Sequence, residues 1–63
     1  MFYVVITKSD SQAIYRHTDK DEAFASFYSE LAYAYNQHIN TGVLVLDKNL
    51  NTLKKAEYIQ ATE

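Results

Sequence analysis

One helical segment between two pairs of short β-type segments limits the folds open to this chain more than any other feature. The segment begins with the residues TDKDE, in which Thr18 or Asp19 can cap a helix. An acidic side chain three positions further on, Asp21 or Glu22, can complete a capping box. Apolar residues then recur at the i, i+3, i+4, i+7 spacing of an amphipathic helix. The predicted buried stripe is Phe24, Phe27, Tyr28, Leu31, Tyr35 and His38 or Ile39.

The four flanking segments are rich in β-branched and aromatic residues, which favour strands. They comprise residues 1–8, 12–17, 43–47 and 52–60, and residues 61–63 are expected to fray. Polar turns at 9–11 and 47–51 make each pair a hairpin, and an asparagine in the second turn can adopt positive φ. Asn40 or Gly42 is expected to take the left-handed conformation that ends the helix.

The order of these segments predicts the topology. A right-handed crossover from the second strand to the third gives sheet order 2-1-3-4 with all neighbours antiparallel. The last strand carries Lys54, Lys55 and Glu57, as an edge strand should. We therefore expect an α+β fold of order β-β-α-β-β, with one amphipathic helix on one face of a four-stranded antiparallel sheet. We expect residues 1–63 to form a single domain.

The face of the sheet that the helix leaves uncovered requires an explanation. Both sides of the first and third strands are apolar, and a chain of 63 residues buries only about 60% of its unfolded surface. The chain has no cysteine, so it lacks disulfides. A semi-polar face on a monomer is one interpretation; the favoured one is a homodimer or larger assembly. The predicted oligomer interface is Tyr3, Val5, Tyr15, Val43, Val45 and Tyr58, and the pattern leaves open which face the helix covers.

The sequence contains no recognisable catalytic or metal-binding motif, so we expect a protein that is not an enzyme and uses no metal or cofactor. His17 and His38 have no nucleophile or carboxylate at motif spacing. Capping explains the acidic residues near position 20 more simply than a cation does. A net charge of −2 disfavours nucleic-acid and membrane partners. The absence of cysteine and of a leader segment predicts a cytoplasmic location.

Two further groups of residues are candidate contact sites. Tyr33 falls on the predicted solvent face of the helix, and tyrosine is enriched in interfaces. The predicted partner-binding surface is Glu30, Tyr33, Asn36 and Gln37. Seams between subunits could instead hold a nucleotide-like anion by stacking and charge. The candidate ligand residues are Arg16, His17 and Lys55, beside Tyr15. A third hypothesis, stacking of single-stranded nucleic acid on the tyrosines, lacks a basic groove.

The hydrophobic start, the helical stretch FYSELAYA and the later run VLVLDKNLNTL resemble short proteins encoded by phages and prophages of Gram-positive hosts. The resemblance is one of layout, and it carries no catalytic residue. It implies a small β-β-α-β-β protein that acts in the host cytosol. Such proteins include inhibitors or modulators of host defence proteins and proteins that sequester a signalling molecule. We therefore expect a homo-oligomeric binding protein whose second partner is a host protein.

Overall fold

The computed structural model describes residues 1–59 and confirms the predicted architecture. The elements are β1 (Phe2–Lys8), β2 (Gln12–His17), α1 (Lys20–Gln37), β3 (Thr41–Leu46) and β4 (Thr52–Tyr58). They form one antiparallel sheet of order β2-β1-β3-β4, with α1 packed on one face. Residue 60, predicted to end the last strand, and residues 61–63, predicted to fray, lie outside the described residues.

The core lies between α1 and the two central strands. Val4 pairs with Val45 and Ile6 with Val43, and each of these side chains is at most 4% exposed. Directly paired residues of antiparallel strands point to the same face, so these four form one apolar layer. Phe27 is fully buried and packs on that layer from the helix. Its ring is the largest fully buried side chain in the described part of the molecule.

The helix buries part of the predicted stripe: Phe27 is fully buried and Phe24 packs on the core, but the other buried residues differ from the prediction. Ala23, Phe27 and Ala34 are its buried residues, whereas Tyr28 and Tyr35 are about half exposed. Small alanine side chains let the helix backbone approach the sheet closely. The tyrosines lie along the margins, where their rings pack and their hydroxyls can reach water. The prediction of Tyr28 and Tyr35 as buried residues was therefore wrong, and so was that of His38 or Ile39, since both are exposed.

The two ends of α1 are capped differently. Asp19 is the N-cap, and its Oδ1 accepts a hydrogen bond from the backbone N–H of Asp21 at 3.2 Å, as one predicted alternative required. At the other end His38 adopts the left-handed conformation with φ 57°, and its backbone N–H donates to the carbonyl of Ala34. The prediction of Asn40 or Gly42 for this position was wrong. The chain turns two residues earlier than expected, and Gly42 lies inside β3 without positive φ.

The turn between β3 and β4 is organised by Asp47. Its Oδ1 accepts hydrogen bonds from the backbone N–H groups of Asn49 and Asn51, at 2.8 and 2.9 Å. The hydrogen bond from Asn51 is the main cause that lowers the pKa of the Asp47 carboxyl from its usual value. The residue with positive φ is Leu50, at 65°, and no asparagine in the turn has it. The prediction of an asparagine with positive φ was therefore wrong. Asn49 and Asn51 donate their backbone N–H groups to Asp47, and Leu50 adopts the positive φ instead.

Candidate functional site

The pairing register assigns each strand residue to one of two sheet faces. Residues paired with Val4 or Ile6 share the face that α1 covers, and residues paired with Tyr3, Val5 or Thr7 share the other. We call the second face the open face. Its residues are Tyr3, Val5, Thr7, Gln12, Ile14, Arg16, Gly42, Leu44, Leu46, Lys55 and Glu57.

An apolar band crosses the middle of the open face. Val5 lies between Ile14 of β2 and Leu44 of β3, and Tyr3 pairs with Leu46. Ile14 is 60% exposed, and the other four are half-buried. Monomeric proteins rarely expose large contiguous apolar surfaces, so this band is the candidate contact surface of the open face.

Polar side chains surround the apolar band. Gln12 donates a hydrogen bond from its Nε2 to Oγ1 of Thr7 at 3.3 Å, at the end where β1 leads into β2. Arg16 marks the β2 edge, and Lys55 and Glu57 mark the β4 edge. An apolar centre with a charged rim is the usual arrangement of a protein–protein interface.

The predicted oligomer interface is divided between the two faces. Tyr3 and Val5 lie on the open face, but Tyr15, Val43 and Val45 lie on the helix-covered face. Tyr58 also faces the helix, where its ring lies 4.6 Å from the ring of Tyr35. The assignment of Tyr15, Val43, Val45 and Tyr58 to the uncovered face was therefore wrong. The strand register explains this error, because Tyr15 and Val45 both pair with Val4, which α1 buries.

Sequence reasoning missed three apolar residues of the open face, namely Ile14, Leu44 and Leu46. Val43 and Val45 alternate with Leu44 and Leu46, so both sides of β3 look equally suited to a core. The pairing of Tyr3 and Val5 with the two leucines is the signal that would have identified them. That signal requires the β1–β3 register, which the sequence pattern does not give.

The candidate ligand residues do not come together within one chain. Arg16 and Lys55 share the open face but lie on opposite edges of the sheet. Three strand spacings of about 4.8 Å separate them by roughly 14 Å. His17 faces the helix side, where its Nδ1 lies 4.0 Å from Oε1 of Glu22. The buried Nε2 of His17 has no hydrogen-bond partner within residues 1–59.

The predicted partner-binding residues on α1 are also divided. Asn36 and Gln37 are exposed, and Tyr33 is about half exposed. The Nζ of Lys8 lies 5.8 Å from the centre of the Tyr33 ring, so this ring stands at a margin of the helix near the sheet. Glu30 is half-buried and lines a small cleft towards β2. The sequence placed these four residues on one solvent face, and the fold turns Glu30 away from it.

Gly42 is one of the residues that line a cavity beside the apolar band. The cavity has a volume of about 350 Å³, and its lining includes Thr7, Leu44, Lys55 and Glu57. A Cβ added at Gly42 would meet only the carbonyl oxygen of Thr7, at an ordinary contact distance of 4.0 Å. Neither the backbone conformation nor the packing of a single chain therefore requires glycine here. A glycine inside a strand often marks a close approach by a ligand or another backbone.

The described residues contain no group of three His, Asp or Glu side chains placed to hold a metal ion. Between residues 1 and 59, no helix combines the length and apolar character needed to cross a membrane. His38 and Tyr58 make a hydrogen-bonding contact of 3.2 Å between Nδ1 and Oη, which links the end of the helix to β4.

No protein-family model, curated protein or solved structure matches the chain.

Proposed function

We propose that this chain is a non-enzymatic binding protein that works as a homo-oligomer, with the open face as its assembly surface. The apolar band of Tyr3, Val5, Ile14, Leu44 and Leu46 carries the proposal. These side chains stay at least partly exposed, although all of them except Ile14 belong to β1 and β3, the strands that supply the core. Burying them against a second copy would remove apolar area from water at about 25 cal/mol per Å².

The dimensions of the sheet determine how strong such an interface is. A strand of seven residues spans roughly 20 Å, and four strands at about 4.8 Å spacing span roughly 14 Å between the outer strand axes. The footprint of the open face is therefore roughly 300 Å² per copy, before the relief of the side chains is counted. Stable interfaces bury about 800 Å² of accessible surface per partner. Stacking of one open face on another therefore covers less area than a standard stable interface, and we expect it to be weak.

A host protein is the second partner that we propose. The chain's layout supports it by its resemblance to phage- and prophage-encoded proteins that inhibit or modulate host proteins. The exposed part of the predicted helix surface, with Tyr33, Asn36 and Gln37, stays available when the open face is covered, because it lies on the other side of the sheet. The proposal places the protein in the host cytosol.

The proposal that the open face drives assembly can be tested by placing a charge at its centre. Leu44→Lys puts an ammonium group between Val5 and Lys55, and the flexible lysine stem can still lie along the sheet of a single chain. We expect a lower average mass in sedimentation equilibrium and an unchanged far-ultraviolet circular dichroism spectrum.

Ala32→Lys is the matched control, because Ala32 is exposed on α1 and away from the sheet. This variant should keep the mass of the wild-type protein. A wild-type protein that stays monomeric up to millimolar concentration would overturn the proposal. Equal masses for the wild-type and Leu44→Lys proteins would contradict the role of the open face.

A further inference from the structure

The outer edge of β4 offers a second surface, distinct from the open face. Within residues 1–59, β4 pairs with β3 along one side only, so its other side presents unpaired backbone groups. Leu53 and Ile59, near its two ends, are 40% and 65% exposed. An exposed edge strand of this length is a template for pairing with another strand.

The sequence of this edge, LKKAEYI at 53–59, is complementary to itself about Ala56. If two copies pair antiparallel around a two-fold axis at Ala56, residues at equal distances on either side of it lie opposite each other. Lys55 then faces Glu57, and Lys54 faces Tyr58, whereas Leu53 stands at a register shift between β3 and β4. Each pair occurs twice, because a two-fold axis makes every contact reciprocal.

The two side chains of the charged pair lie on the same face of the sheet, as a direct contact between them requires. Lys55 pairs with Leu44 and Glu57 with Gly42, so both belong to the open face. On the helix side, Lys54 would meet Tyr58 of the other copy. The Nζ of Lys54 lies 5.7 Å from the centre of the Tyr28 ring, which confirms that it faces the helix.

Alternative registers bring like charges together. A two-fold axis at Lys55 sets two lysines opposite each other, and an axis at Glu57 sets two glutamates opposite each other, which destabilises a strand pair. Lysines on edge strands usually prevent pairing for this reason. The Ala56 register avoids the problem because each Lys55 meets a carboxylate.

We propose that β4 pairs with β4 of a second copy in the register centred on Ala56, which joins two sheets into one of eight strands. An axis perpendicular to the sheet keeps both helices on one side, so the two open faces lie side by side. The footprint available for stacking doubles, from roughly 300 to roughly 600 Å². The edge pairing does not rest on the proposed stacking of open faces, since it uses a different surface.

Charge reversal tests the pairing. Lys55→Glu and Glu57→Lys should each weaken association by at least about tenfold, because both charged pairs of the dimer become repulsive. The double variant should return to within about threefold of the wild-type dissociation constant. A mixture of the two single variants should associate as a heterodimer. Arg16→Glu, on the opposite edge, should not affect this pairing when it is measured in a Val5→Asp background, which weakens stacking of the open faces and changes no residue that pairs with β4.

A cross-link tests the register directly. Paired residues of antiparallel strands have Cα atoms about 4.5–5.5 Å apart, within the range that a disulfide bridges. Because the chain has no cysteine, Ala56→Cys carries a single thiol. We expect covalent dimers under mild oxidation, and markedly slower cross-linking for the control Ser11→Cys, which lies in the β1–β2 turn.

The outcomes separate the two surfaces. Equal cross-linking rates for Ala56→Cys and Ser11→Cys, or no response to charge reversal in the Val5→Asp background, would overturn the edge pairing and leave the open face in place. An Ala56→Cys dimer that forms in a Leu44→Lys protein of unchanged mass would support the edge pairing alone.

Discussion

The two faces of this sheet use alternate residues of the same strands in different ways. On the covered face, Val4 and Val45 are fully buried beneath α1. On the open face, their neighbours Val5 and Leu44 are only half-buried. Hydrophobicity hardly distinguishes the two sets, so the helix alone decides which of them is a core and which is a surface.

This comparison shows how a short chain can carry two apolar layers with one helix. A half-buried strand normally alternates apolar and polar residues, whereas strands covered on both faces are continuously apolar. β1 and β3 have the second pattern in a fold that covers one face. The central strands therefore have the composition of a sheet with a layer on each side, which is the basis for proposing a second copy.

Adjacent valines in β1 provide the largest test of the comparison. Val4→Asp buries an unpaired carboxylate under the helix, and we expect it to lower the free energy of unfolding by about 4 kcal/mol or more, enough to unfold most of the protein. Val5→Asp should leave a folded protein of lower mass. Urea denaturation followed by circular dichroism, with sedimentation of both variants, measures the two effects. Equal loss of folding in both variants would remove the distinction between the faces.

A smaller effect is expected from a substitution in the β3–β4 turn. Such a substitution should change the free energy of unfolding and leave association unchanged. Leu50 has φ 65° and is 66% exposed, so it is strained and buries little. Asparagine tolerates this conformation better than leucine. Leu50→Asn should raise the free energy of unfolding by about 0.5–1 kcal/mol without changing the dissociation constant. Leu53→Asn, a control in β4, should not stabilise; if it matches Leu50→Asn, the strain at Leu50 is not the cause.

Lowering the pH should produce the smallest change in the free energy of unfolding, and it should do so through Asp47 in the same turn. The folded pKa of Asp47 lies below its usual value, because Asn51 and Asn49 donate backbone hydrogen bonds to the carboxylate. The unfolded chain therefore takes up the proton first as the pH falls. The stabilising contribution of Asp47 is complete above about pH 4 and is lost as the pH falls through the folded pKa.

The matched variant for this effect is Asp47→Asn. The difference in urea midpoint between the wild-type protein and the variant should be larger at about pH 6 than at about pH 3. Because Asp47 is only partly buried, the difference should be small and should shrink in high salt. A difference that grows as the pH falls would contradict the role of the ionised carboxylate.

Local signals in the sequence predicted the elements and their order. The cap at Asp19 and the bounds of β2 follow from side chains that act on their own neighbours. The topology followed from the handedness of the crossover, which depends on the order of the elements. The cap and the strand bounds are properties that a short stretch of chain determines by itself.

The errors concern choices that depend on packing between distant residues. Tyr28 and Tyr35 match a helical stripe as well as Ala23 and Ala34 do, and only the closeness of helix and sheet selects the alanines. The face of Val43 and Val45 depends on the β1–β3 register, which the pattern leaves open by one residue. The candidate site inherited that ambiguity, and four of its six predicted interface residues fell on the covered side.

The small core, with Phe27 as its one large aromatic fully buried among the described residues, determines how the protein melts. A chain of 63 residues unfolds with an enthalpy of roughly 45 kcal/mol, so its thermal transition is broad. For domains of this size, about 1 kcal/mol of added stability shifts the midpoint by about 4–8 °C. Any copy that binds only the folded chain adds such stability by mass action. If the chain assembles as we propose, its melting temperature should therefore rise measurably with its own concentration.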